Sequence, residues 1–181
     1  MKNKFLKWQL KEHSERHRFI GTLIDAMFFG IAIPAGMIFI SSILDNLLRL
    51  PKFTAYPYTH SIGLGLMIFG VILWAWSVSS FFKVGKGSSL PIIPTKKLVT
   101  KPPYNHCRNP INFGAILYYF GFGILVSSFS LIGLSILLTI LLILYLKLIE
   151  EAELEGRFGE EYIKYKGSTP FLIPWPRVTK K

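Results

Sequence analysis

Two clusters of reactive side chains stand out in an otherwise apolar chain: "YNHCRNPINFG", Tyr104 to Gly114, and "EEAELEGRFGEEY", Glu150 to Tyr162. The first contains Arg108, whose planar guanidinium forks onto a carboxylate, flanked by the amides Asn109 and Asn112. The second opens with Glu150 and Glu151. Such carboxylates can bind an ammonium or hydroxyl groups, or take a proton from an amine or a phenol. Pro110 suits the first position of a helix, where its missing N–H costs nothing, and the N–H groups that begin a helix favour an anion.

Either cluster alone reads as an ordinary helix end, capped or solvated, with Lys147 and Glu151 able to pair at i, i+4. They become a site only if they meet, and the elements between them decide that. The chain is apolar from Ile111 to Ile149, too long for one simple membrane crossing, and "SSFS" at Ser127 to Ser130 divides it. A helix from Pro110 climbs for about 17 residues, or roughly 26 Å at 1.5 Å per residue. A second descends from Leu131 over a similar length. Equal antiparallel arms return to the same depth, so Arg108 and Asn109 are expected beside Glu150 and Glu151.

Of the 181 residues, 51% are hydrophobic, and the apolar residues are clumped. Phe19 to Leu44 and Ser61 to Phe82 are each long enough to cross a bilayer. Lipid offers the backbone no water, so such segments must be helices. The expected fold class is all-α: a polytopic membrane helical bundle of about four transmembrane helices. Gly21, Gly30, Gly36, Gly63, Gly65 and Gly70 should let helices approach closely, and Pro34 should kink the first helix. Asp25, an acid inside the first span, is a functional candidate, although it lies near an interface that water can reach.

The net charge is +11, and its distribution matters more than its size. Lys and Arg number six in residues 1–18, two in 45–60, six in 83–110 and seven from Lys147 onward. The positive-inside rule then puts both termini in the cytoplasm. The basicity reflects topology and anionic lipid rather than nucleic acid. Three regions follow: an interfacial amphipathic segment over 1–18, two scaffold helices over 19–82, and a module of loop, hairpin and interfacial segment over 83–181. The N-terminus is too long and too charged for a cleavable signal. "GKGSS" lacks the spacing of a phosphate-binding loop. A single cysteine, Cys107, excludes an internal disulfide and a Cys-based zinc site, and no metal is expected.

Taken in order, "GKGSSLP", "KKLVTKPPY", "RNPINFG" and "EEAEL" followed by "FGEEYIKY" resemble the isoprenylcysteine carboxyl methyltransferases, their prokaryotic relatives and the related membrane phospholipid N-methyltransferases. The likeness spans Phe81 to Pro176. Leu98, Val99 and Tyr104 match one motif. Arg108, Asn109, Pro110 and Gly114 match the next, and Glu150, Glu151 and Leu154, then Phe158, Gly159 and Tyr162, match the last. The resemblance implies that residues 83–181 bind S-adenosylmethionine through Lys96, Lys97, Leu98, Val99, Tyr104, Asn109, Pro110, Asn112 and Glu150. It makes Arg108 and Glu151 the catalytic pair. The implied acceptor is a lipophilic or membrane-embedded molecule, isoprenylcysteine carboxylate-like or a lipid amine, at the cytoplasmic face of a prokaryotic plasma membrane.

The chain departs from the family pattern in three places. Asn112 stands for a tyrosine and Pro102 for a glycine. A helical arginine associated with the substrate carboxylate falls at or near Leu146, which weakens the case for a carboxylate acceptor. Two rival readings are a sterol-reductase-like enzyme using NADPH, disfavoured because Arg108 stands alone among lysines, and a non-catalytic membrane scaffold, which Asn112 would suit.

Overall fold

The computed structural model describes residues 14–53, 58–85 and 95–174, and every regular element among them is helical. Helix α1 (Glu15–Met27) starts at Ser14, whose hydroxyl accepts the N–H of His17. It continues through a π-helical turn, Phe28–Ala32, into α2 (Ile33–Leu47). Pro34 is the physical reason for that irregularity. It has no N–H to offer the Gly30 carbonyl four residues earlier, and Ile33 directs its own N–H to Phe28 O, five residues back. The carbonyls of Phe29 and Gly30 thereby lose their usual partners where water is scarce.

Two tyrosines on a neighbouring helix replace them. The hydroxyl of Tyr119 donates to Phe29 O at 2.8 Å, and that of Tyr118 donates to Gly30 O at 3.0 Å. Tyr119→Phe is therefore expected to destabilise the bundle by about 1–3 kcal/mol, the cost of an abandoned buried carbonyl. The measurement is the denaturation midpoint in detergent. An unchanged midpoint would mean that the π-helical turn satisfies itself.

Helix α3 (Tyr58–Ser80) ends in another π-helical turn, Phe81–Gly85, and packs antiparallel against α4 (Pro110–Val126). The glycines explain the closeness of the pair. Gly63 and Gly70 on α3, and Gly114 and Gly121 on α4, share a two-turn spacing, so Gly63 meets Gly121 while Gly70 meets Gly114. A methyl group at Gly63 would stand 2.7 Å from Gly121 O, and one at Gly114 would stand 2.7 Å from Gly70 O. Backbone-to-backbone packing of this kind holds helices together where lipid removes the drive to bury apolar surface.

The hairpin turns at Ser127, which adopts the left-handed conformation (φ 56°, ψ 40°), and α5 (Phe129–Tyr145) begins after its cap, Ser128. The Ser128 hydroxyl accepts the Leu131 N–H at 3.0 Å and donates to Asp45 Oδ2 at 2.6 Å; the other Asp45 oxygen accepts the Ser130 N–H. The carboxylate suits the positive end of the helix and ties the end of α2 to the turn. A π-helical turn, Leu146–Glu150, follows α5 and leads into α6 (Glu151–Phe158) and α7 (Glu160–Ser168), hinged at Gly159 with φ 54°.

Three continuous helices, Glu15–Leu47, Tyr58–Gly85 and Phe129–Phe158, are long and apolar enough to cross a membrane. The fourth, Pro110–Val126, is apolar but has only 17 residues, just under the roughly 20 needed for a full span. Large apolar side chains such as Phe39, Met27 and Leu141 are exposed on the outside. That is the surface of a bundle solvated by lipid. The chain is thus an all-α membrane bundle, as its sequence predicts. Arg18 lies over the Phe82 ring at 5.5 Å, which puts the start of α1 beside the end of α3. The starts of α1 and α4 and the ends of α3 and α5 therefore share one end of the bundle. Most of the expected interfacial segment over 1–18 and the "GKGSS" loop after Gly85 lie outside the described residues.

Candidate functional site

A cavity of about 460 Å³ lies where those helix ends gather. One wall is the loop before α4. It is held at its start by the Lys96 N–H on Gly85 O at 2.8 Å and by the guanidinium of Arg157 on Thr95 O. Farther along, Ser80 donates to Pro102 O at 2.9 Å, and Tyr165 donates through its hydroxyl to Tyr104 O at 2.6 Å. The Tyr104 ring stacks nearly parallel on Phe81 with centroids 5.0 Å apart. Val99, Tyr104, Tyr162 and Tyr165 form one buried cluster that lines the cavity. Burial, and then the neighbouring Tyr165 and Glu150, push the Tyr104 phenol well above its usual range. Burial likewise pushes Tyr162 up to about 12. Both phenols are neutral at physiological pH and serve as walls of the cavity.

The two polar clusters meet. Arg108 Nη2 lies 2.7 Å from Glu151 Oε1, with both side chains about nine-tenths buried. Its other terminal nitrogen donates to Lys166 O at 2.6 Å, and its guanidinium lies over the Phe171 ring at 5.7 Å. Lys166 bridges Glu151 and Glu155 at 2.8 Å each, and those two bonds raise its ammonium above the ordinary lysine range. The backbone N–H of Arg108 donates to Pro170 O at 2.9 Å, and the Asn109 amide donates to Phe171 O at 2.9 Å. The segment after α7 is thus pinned under the start of α4.

Of the eleven residues assigned from the sequence to cofactor binding or catalysis, seven border the cavity: Leu98, Val99, Tyr104, Arg108, Asn109, Asn112 and Glu150. Four do not. Glu151 is buried behind the wall in its ion pair, Pro110 is buried in the first turn of α4, and Lys96 and Lys97 are exposed. Leu146, where the resembling family carries an arginine, is 1% exposed and off the cavity wall. Asp25 borders the cavity from α1, joined by Trp74, Phe81, Arg157, Tyr162 and Tyr165. Tyr162 and Tyr165 carried a readable signal, since residues three apart on a helix share a face. Trp74 carried none, being one aromatic among many in an apolar span.

Cys107 is 1% exposed, and burial pushes its thiol up to about 11. Thiolate is the reactive form, so maleimide at neutral pH should leave the folded protein unlabelled and modify it only after denaturation. Rapid labelling of the folded protein would show that the loop before α4 opens.

The fold and the site define a helical membrane bundle with a cavity at one end, walled by apolar, aromatic, amide and charged side chains. The chain belongs to the phospholipid methyltransferase family, whose model matches residues 58–161, more than half of its length. No curated protein and no solved structure gave a match. Membership implies a methyltransferase that acts on lipid-like substrates, and methyltransferases of this family generally use S-adenosylmethionine.

Proposed function

We propose that this protein methylates a lipophilic acceptor with S-adenosylmethionine at the cytoplasmic face of the membrane. One observation carries the reading: the loop and helix start that bear the family motifs converge with Glu150 on a single cavity. Its volume, about 460 Å³, falls in the range of roughly 300–1,000 Å³ typical of small-molecule sites. The lining suits the cofactor chemically. Glu150 complements its ammonium, Asn109 and Asn112 offer amides, and Leu98, Val99 and Tyr104 offer an apolar and aromatic surface for its base. Asn112 is shorter than the family's tyrosine, so it can hydrogen-bond but cannot stack.

Bound there, S-adenosylmethionine supplies a methyl group activated on sulfonium sulfur. The protein's own part is to hold the acceptor in line and exclude water. Arg108 and Glu151 act on this reading as positioning residues: their ion pair fixes the start of α4 against α6, and with it Asn109 and Asn112. The cluster of lysines and arginines at this end of the bundle supports the cytoplasmic orientation.

Calorimetric titration of S-adenosylmethionine and, separately, of NADPH into detergent-purified protein tests the reading. The expected result is micromolar binding of S-adenosylmethionine that Glu150→Ala abolishes. Binding of NADPH alone would replace the methyltransferase with a reductase.

A further inference from the structure

A polar cofactor has to reach the cavity from water, and the lining shows on which side. Toward the membrane-embedded part of the bundle the cavity adjoins a second one, of about 250 Å³ and almost wholly apolar, between α1, α3 and α4; Phe29, Trp74 and Ala115 border both. That direction offers nothing to a charged, water-borne molecule. The opposite side is closed by the loop before α4, by α6 and by α7, which contributes Tyr162 and Tyr165. The loop is tied to the end of α3 through Ser80 and Gly85. Helix α7 is attached differently.

It joins α6 at Gly159, with φ 54° and ψ −131°, a conformation that favours glycine. A Cβ built there meets nothing within 4 Å, so no packing clamps the joint. Apart from its two tyrosines, α7 is held by polar contacts: Lys166 on Glu151 and Glu155 at 2.8 Å each, and Arg108 on Lys166 O at 2.6 Å. Such contacts lose little when water replaces them, so this is the wall that separates at least cost. Beyond α7, Arg108 and Lys147 lie over the Phe171 ring at 5.7 and 5.2 Å. Asn109 borders the cavity and also donates to Phe171 O, which couples the site to this segment. Tyr162, Tyr165, Lys166 and Phe171 all follow residue 161, where the match to the family model ends.

We propose that α7 and the residues after it as far as Phe171 form a hinged strap over the cavity. The strap swings at Gly159, Lys166 latches it onto Glu151 and Glu155, and its opening admits and releases the cofactor. What passes rests on the function proposed above; the motion rests on the contacts of α7 alone.

Hydrogen–deuterium exchange of the detergent-purified full chain, read by mass spectrometry, is the test. Without cofactor, the amides of residues 160–171 should exchange together and ahead of those of α4. Lys166→Met should speed that exchange about tenfold, two partly exposed ion pairs being lost. Gly159→Ala should act in the same direction, because it strains the closed joint while removing no contact. Neither variant should alter exchange in α4. Saturating S-adenosylmethionine should slow exchange in 160–171, and Lys166→Met should release the bound cofactor faster. The strap is overturned if 160–171 exchange as slowly as α4, if either variant leaves the segment unchanged or speeds exchange throughout the chain, or if bound S-adenosylmethionine does not slow it. If S-adenosylmethionine fails to bind while the segment responds to both variants, the methyltransferase reading falls and the hinged strap stands.

Discussion

Arg108→Met should abolish methyl transfer and lower the unfolding free energy by about 3 kcal/mol, the lower end of the cost of breaking a buried ion pair by removing one partner. The substitution keeps volume and removes charge. It strands Glu151 Oε1, which now faces the guanidinium at 2.7 Å, and it leaves Lys166 O without its 2.6 Å donor. Lys166 still contacts Glu151, but it is more than one-third exposed, so it compensates only in part. Arg108→Lys should recover little. An ammonium is a point charge without the fork that reaches Glu151 and Lys166 O together. Cofactor titration and denaturant unfolding in detergent read the two effects separately. The ion pair would not be what positions the start of α4 if Arg108→Met kept both full stability and cofactor affinity. If the ion pair does position it, a double-mutant cycle with Glu151→Gln shows coupling between the two positions.

Gly70→Leu is expected to be the most damaging single change in the membrane-embedded part, costing more than about 3 kcal/mol. Overpacking a core usually costs about 1–3 kcal/mol because side chains can shift. Here the obstacle is backbone. A Cβ at Gly70 would meet Gly114 O at 2.5 Å and Tyr118 N at 3.0 Å, so α3 and α4 must separate along their whole contact. That would also move Trp74 and Ala115, which border both cavities. Gly65→Leu is the control. A Cβ there meets nothing within 4 Å, and a surface change of this kind is worth no more than about 0.5 kcal/mol. Yield of monodisperse protein and the thermal midpoint distinguish the two variants. Equal behaviour would contradict the interlocked glycine pairs.

The sequence by itself determined the elements and the depth of the site. Helices in lipid are obligatory, and their rise per residue is constant, so two equal arms about a serine turn had to bring Arg108 back to the level of the glutamate pair. Pro34 foretold an irregular turn because it lacks an N–H, and Pro110 foretold the start of a helix for the same reason. Which glutamate faces the cavity was a different matter. The π-helical turn Leu146–Glu150 ends between the two glutamates and shifts the helix's phase there, so residue spacing on an ideal helix could not say that Glu150 borders the cavity while Glu151 turns to Arg108. Glycine spacing promised close helices but not that Gly63 would choose Gly121 and Gly70 choose Gly114. Only the tertiary structure decided that Lys96 and Lys97 point away from the cavity and that Asp25 points into it. Such choices depend on how α1 and the loop before α4 lie across α3 and α4, and that arrangement is set by contacts between residues far apart in the chain, which no local pattern encodes.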